Sequence, residues 1–251
     1  MSKKTFIYNY TIALACILLI TRNSIAQSKQ VRYQNHSWAS LNTTMRIAKH
    51  WSIITDIHYR ANNFFASPNF YFFRVGGQYH VNQHLSVALG YGHLWLAPSK
   101  TEWHTYSNEN RIYQQVQYTY KTQRWQWIHR IRNEQRWQQI ITNDIATNNY
   151  KLTNRIRYLL GANYTIFKQH PKLPTLALVN ELCVQFGENT VLNTYDQNRF
   201  FIGAKMLLCK ELSFDIGYML LYQKKADGVN FDYNNTFRFF FYYTPQWQQK
   251  K

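Results

Sequence analysis

Apolar and polar residues alternate singly along most of this chain. The stretch from Trp125 to Trp137 shows it most clearly. Arg130, Arg132, Glu134 and Arg136 take every second position, and Trp125, Trp127, His129, Ile131, Asn133, Gln135 and Trp137 fall on the other face. Successive side chains of a β-strand point to opposite faces, so the spacing predicts a strand with one ionic face and one largely aromatic and apolar face. A helix would scatter the same charges around its circumference. Eleven such segments follow one another, at roughly 35–48, 51–62, 70–81, 84–97, 109–121, 124–137, 150–166, 175–187, 198–208, 211–224 and 233–244. In the second, Trp51, Ile53, Thr55, Ile57 and Tyr59 share one face, and Ser52, Ile54, Asp56, His58 and Arg60 the other. In the fourth, the small residues Ser86, Ala88, Gly90 and Gly92 share the inner face, which is expected to leave room in the interior.

A soluble sheet buries its apolar face and wets its polar one, whereas a membrane barrel turns the apolar face to lipid and the polar face to a lumen. Two features favour the barrel. Rings occupy the apolar face of nearly every segment. Tight connections at Lys49-His50, Asn82-Gln83, Thr122-Gln123 and Cys209-Lys210 alternate with longer polar ones at 63–69, 98–108, 138–149, 188–197 and 225–232, while 167–174, with two prolines, takes a turn position. The expected fold is all-β, an antiparallel up-and-down transmembrane β-barrel with short periplasmic turns and longer external loops. Closure removes the sheet edges that so many strands would otherwise expose. Trp51, Trp125 and Trp127 near the tight turns, and Trp95, Trp103 and Trp137 near the long loops, suggest two aromatic girdles. Bacterial single-chain barrels have even strand numbers. About 12 strands are therefore expected, within a range of 10–12, with Gln27–Gln34 either supplying a twelfth strand or threading the lumen.

Composition is consistent with this. Charged residues make up 16% of the 251 positions, against about 25% in ordinary soluble proteins. Mean hydropathy is −0.48, which a hydropathy scan would pass over because apolar and polar positions cancel. Residues 1–26 read as a signal peptide: Lys3 and Lys4, then the apolar Thr11–Ile20, then Ser24-Ile25-Ala26 before Gln27. That leaves 27–251 as one outer-membrane barrel domain. Removing Lys3, Lys4 and Arg22 takes Lys+Arg from 29 to 26, and with 12 acids the mature charge is +14. An exported chain rarely meets nucleic acid, so that partner is not expected. Outer-membrane lipid, lipopolysaccharide and anionic solutes are, along with the barrel-assembly machinery during biogenesis. Cys183 falls mid-strand and Cys209 at a turn, so both are expected as free thiols.

With the RIRNEQR run of Arg130–Arg136, Asn110-Arg111-Ile112, and Gln197-Asn198-Arg199 followed by Gly203 in view, the chain resembles an outer-membrane barrel family catalogued as a domain of unknown function and frequent in Bacteroidetes. The resemblance covers nearly all of the mature chain. It implies an outer-membrane β-barrel and supplies no catalytic residues. The chain departs from the usual barrel ending, a terminal aromatic residue, because Tyr242-Tyr243 and Trp247 are followed by Lys250-Lys251.

The inner face collects Arg60, Arg74, Arg111, Arg130, Arg132, Arg136, Arg155, Arg157, Arg199, Lys205 and Arg238, against Asp56, Glu109, Glu134, Glu181 and Asp215. Two functions fit. One is a pore or binding channel for small anions, since guanidinium groups bind carboxylate and phosphate well and rings of charge set selectivity. The other is a closed structural barrel whose lumen is filled by an Arg/Glu ladder, because unpaired charges there are costly. A hydrolase built on Asp56, His58 and His80 is a weaker alternative, as no nucleophile motif accompanies them, and the protein is expected not to be an enzyme. The nine histidines are spread over separate strands and turns, so no metal site and no cofactor are expected.

Overall fold

In a computed structural model, residues 29–98, 100–170 and 173–245 are described. The expected signal segment, residues 1–26, lies outside them. The chain divides into the units Met1–Gln30 and Val31–Lys251; of the first, only Lys29 and Gln30 are described, and neither is in a strand. The described residues of the second unit form eleven strands and no helix: β1 (Val31–Arg46), β2 (Trp51–Asn62), β3 (Ser67–His80), β4 (Leu85–Leu96), β5 (Ser107–Lys121), β6 (Trp125–Thr142), β7 (Ile145–Thr165), β8 (Thr175–Phe186), β9 (Tyr195–Cys209), β10 (Leu212–Lys224) and β11 (Phe231–Tyr243). Each strand pairs antiparallel with its sequence neighbours, and the sheet closes into a barrel where β1 meets β11.

That closure settles the strand count. With eleven strands the first and last run in the same direction, so they pair in parallel, from Val31↔Phe231 to Thr43↔Tyr243. The count lies inside the expected range of 10–12, but the favoured twelfth strand does not form among the described residues. Residues 31–34 instead lengthen β1. Parallel ladders are slightly weaker per residue than antiparallel ones. At this seam, paired rings (Tyr33 and Tyr233, centroids 5.2 Å apart) and an Asn235–Asn35 amide contact at 3.4 Å add side-chain contacts.

The period of two sorts the side chains as a barrel requires. Leu89, Ile57 and Ile131 are 60%, 56% and 53% exposed on the outside, in a belt with Val75, Tyr91, Ile112, Val116, Tyr158, Ile202 and Phe237. The inner face is mixed rather than purely polar. Trp38, Phe72, Tyr113 and Phe201 are buried within the barrel. The small inward residues of β4 therefore do not leave the open room expected of them. Gly90 lies against Tyr113, where a Cβ would come 2.5 Å from the Tyr113 hydroxyl and 2.4 Å from the Val75 carbonyl. Gly92 similarly accommodates the Phe72 ring.

Two connections depart from the expected alternation of lengths. Residues 166–174 are long for a turn position. Residues 138–149, expected as a long loop, are instead the ends of β6 and β7, joined at Asn143-Asp144 with φ of 50° and 61°. Two consecutive left-handed residues make the tight hairpin turn whose twist matches its strands, and Asn and Asp tolerate that conformation best among non-glycine residues. Because β5 pairs with β6 only up to Gln138, and β8 with β7 only from Asn154, this hairpin projects beyond the rest of the wall. Its residues no longer divide between a lumen and an outer belt, so they lack the alternation that marks the other strands. Cys183 is buried, Cys209 is exposed, and both are free thiols.

Candidate functional site

The inward positions of the strands surround one cavity of about 790 Å³. Of the sixteen charged residues singled out from the sequence, the structure places fifteen on its lining: Arg60, Arg74, Arg111, Arg130, Arg132, Arg136, Arg155, Arg157, Arg199, Lys205, Arg238, Asp56, Glu109, Glu181 and Asp215. The sixteenth, Glu134, is 2% exposed and enclosed by arginines.

Most of these charges are spent on one another. Glu134 accepts from Arg155 (2.5 Å from Nη2, 2.9 Å from Nε) and from Arg157 Nη1 (2.7 Å), with Arg111 and Arg132 each at 3.7 Å. Glu181 accepts from Arg157 (2.7 Å), Arg130 (2.9 Å) and Arg199 (2.9 Å). Glu109 takes a two-pronged contact from Arg136, 3.0 Å at each oxygen, and also pairs with Arg111. Register explains the arrangement. Arg132 sits directly opposite Arg157, and Arg111 opposite Arg136. Like charges facing each other across strands repel, and a carboxylate shared by neighbouring arginines offsets this. Arg132 also donates to the Gln115 side-chain oxygen at 3.0 Å and 2.5 Å.

Elsewhere the pairs are simpler. Asp56 pairs with Arg74 across β2 and β3. Asp215 accepts from Arg238 (2.8 Å) and the Tyr242 hydroxyl (2.7 Å). Arg238 lies 4.1 Å from the Phe201 ring centre and 4.2 Å from that of Phe240. Two basic residues differ from the rest. Among the described residues, Lys205 has no carboxylate within ion-pair distance, and its ammonium lies 5.1 Å from the Tyr242 ring centre. Arg60 likewise has no carboxylate partner. Its guanidinium carbon lies 3.4 Å over the Trp38 ring and 4.4 Å from that of Phe70, and its Nε is buried without a hydrogen-bond partner.

Asp56 and His58 share a face but form no dyad among the described residues. Asp56 is engaged by Arg74, and the His58 ring packs 5.3 Å from Phe72 and 5.5 Å from Phe240. His80 contacts the Ser52 hydroxyl at 2.9 Å near one rim. No group of three His, Cys, Asp or Glu side chains among the described residues is placed to hold a metal ion.

Several contributors escaped the sequence reading. Trp38 sits on the same inward face of β1 as His36 and Ser40, and the period of two could have placed it there. Tyr113 alternates with Arg111 and Gln115 and was equally accessible to that logic. Asp196, 3.2 Å from Arg155, was not. The β8–β9 register jumps from Cys183↔Gln197 to Val184↔Tyr195, so Asp196 is the extra residue of a bulge. Bulges re-aim a side chain off the strand's period, which turns Asp196 inward beside Gln197. With Asp196 and the cavity-lining Asp232, eleven basic side chains face seven carboxylates among the described residues, an excess of four positive charges.

Residues 35–249 match the family described as "Protein of unknown function (DUF2490)". The chain belongs to that family. Neither the curated proteins nor the solved structures provide a match.

Proposed function

We propose that this family member is an outer-membrane β-barrel whose lumen takes up small anionic solutes. The observation that carries the reading is the excess of cations over carboxylates around one cavity. A low-dielectric wall strengthens the field of such charges on a solute inside it. The membrane location is supported by the outward belt of Leu, Ile, Val, Phe and Tyr, which would be costly to leave in water over so large an area. Its partners in this setting are membrane lipid and lipopolysaccharide, with the assembly machinery acting during insertion. No catalytic step belongs to this reading. Purified protein in planar bilayers under a KCl gradient tests it. A reversal potential of the sign set by chloride is expected, and conductance with cation preference would overturn the anion reading.

A second reading has its own observation. Four arginines converge on Glu134 and three on Glu181, as a ladder that closes the barrel would need. Absence of conductance in correctly folded protein would favour it. Cell fractionation tests the location separately: recovery of the protein in the soluble fraction, without detergent, would remove both readings.

A further inference from the structure

The lumen wall contains one guanidinium that is placed differently from the others. Most arginines around the cavity already have a carboxylate on their terminal nitrogens, so a solute anion arriving there must compete with a glutamate or aspartate held in place. At Arg60 it competes with none among the described residues. A guanidinium stacked 3.4 Å over the Trp38 ring has its hydrogen-bonding capacity in its own plane. In-plane pairs of N–H groups fit the two oxygens of a carboxylate.

The surroundings narrow the ligand further. Arg60 pairs in register with Phe70, Phe70 with Leu96, and Phe72 with Leu94, and all four of these apolar side chains line the cavity. These four side chains themselves offer no donor to a multiply hydroxylated sugar or to the other oxygens of a phosphate, and they offer contact area to a hydrocarbon. We propose that Arg60, with Trp38 and Phe70, forms the lumen's binding site for small organic carboxylates that carry an apolar body, such as aryl-acetic acids. The carboxylate takes the in-plane N–H groups and the body lies along Phe70 and Leu96. This rests on the reading of the lumen as a place for anions, and it names which anions and where.

The test uses the full chain folded in detergent and isothermal titration with three probes: phenylacetate, its uncharged amide phenylacetamide, and inorganic phosphate. Phenylacetate should bind one to one, with the amide and phosphate each at least tenfold weaker. R60Q should weaken phenylacetate at least tenfold. R124Q, which removes an exposed cation at the turn before β6, away from the cavity lining, should change it less than threefold. Heat-modified gel mobility checks that each variant is folded. Should R60Q fail to fold, R60M offers a second neutral side chain and is expected to show the same loss. Unchanged phenylacetate affinity in a folded Arg60 variant overturns the site. Phosphate binding as tightly as phenylacetate overturns the apolar part of the assignment. The two proposals fail separately. Chloride selectivity that persists while phenylacetate ignores Arg60 keeps the anionic lumen and removes this site. Arg60-dependent binding in a barrel that conducts no ions keeps the site and removes passage.

Discussion

Two places on the lumen wall handle the same residue type in different ways. On the wall of β5 to β9, Arg111, Arg130, Arg132, Arg136, Arg155, Arg157 and Arg199 are knitted to Glu109, Glu134 and Glu181. On the wall of β1 to β4, Arg74 pairs with Asp56, but Arg60 rests on Trp38 and Phe70 with no acid beside it among the described residues. Counting arginines therefore overstates the free positive charge. A guanidinium locked between carboxylates is framework, whereas one stacked on rings keeps its edge for a visitor. Tyr113 marks the boundary, with Arg132 at 5.0 Å and Arg74 at 5.1 Å from its ring centre.

The sharpest way to break this comparison is to remove one charge from each side. Glu134→Gln leaves Arg155 and Arg157 without their shared acceptor charge, and breaking a buried pair from one side costs about 3–5 kcal/mol. Arg60→Met removes a charge with no carboxylate partner among the described residues, and the loss should stay within about the 1–2 kcal/mol of its stacking contact. Urea unfolding of both variants in lipid vesicles, followed by tryptophan fluorescence, measures the difference. Equal losses would mean that the two walls are one network after all.

A second comparison sets the outside of a strand against its inside. Leu89 points outward on β4 between the inward Ala88 and Gly90. Arginine facing lipid near the bilayer middle costs about 2–4 kcal/mol, so Leu89→Arg should destabilise the barrel in vesicles although arginines abound on the other face. Stability unchanged by this substitution would show that the belt does not face hydrocarbon. Gly90→Ala acts at the boundary itself. The new methyl would meet the Tyr113 hydroxyl and the Val75 carbonyl, and overpacking of this kind costs about 1–3 kcal/mol. The same unfolding assay reads it.

How much of this was legible beforehand follows from the period of two. Where a strand has the outer apolar belt on one side and the lumen on the other, as at Arg130, Arg132 and Arg136, alternation assigns each side chain its face. It fails in two physical situations. At Asp196 a bulge adds one residue and the period slips. Beyond Gln138 and before Asn154 the hairpin has left the wall, so no environment imposes alternation and a regular strand pair looks like a polar loop. Alternation also gives the face without the partner. It put Arg60 and Arg157 on one surface, yet only register reveals that Arg157 meets Glu134 and Glu181 while Arg60 meets Trp38.

The smallest expected effect lies at the tip of that hairpin, where the ion-paired wall extends past the barrel. Asp144 accepts from the backbone N–H groups of Thr105 (2.8 Å) and His104 (2.9 Å), and the Thr105 hydroxyl donates to the Asp144 carbonyl at 2.5 Å. These bonds tie the His104-Thr105 segment to the hairpin. The donated Thr105 and His104 hydrogen bonds hold the Asp144 carboxyl below its ordinary value. A group whose pKa falls on folding contributes order that is fully present above its unfolded pKa, about 3.9 for Asp, and is lost as pH falls through the lower folded value. Hydrogen exchange at residues 100–106 should therefore be slow at pH 7 and should accelerate below about pH 4 beyond its intrinsic pH dependence. Asp144→Asn retains one acceptor oxygen but no charge, and should exchange faster at pH 7 with the acid-dependent step gone. Loop protection identical in the two proteins at pH 7 would mean that the loop is held by other contacts and that the hairpin stands alone.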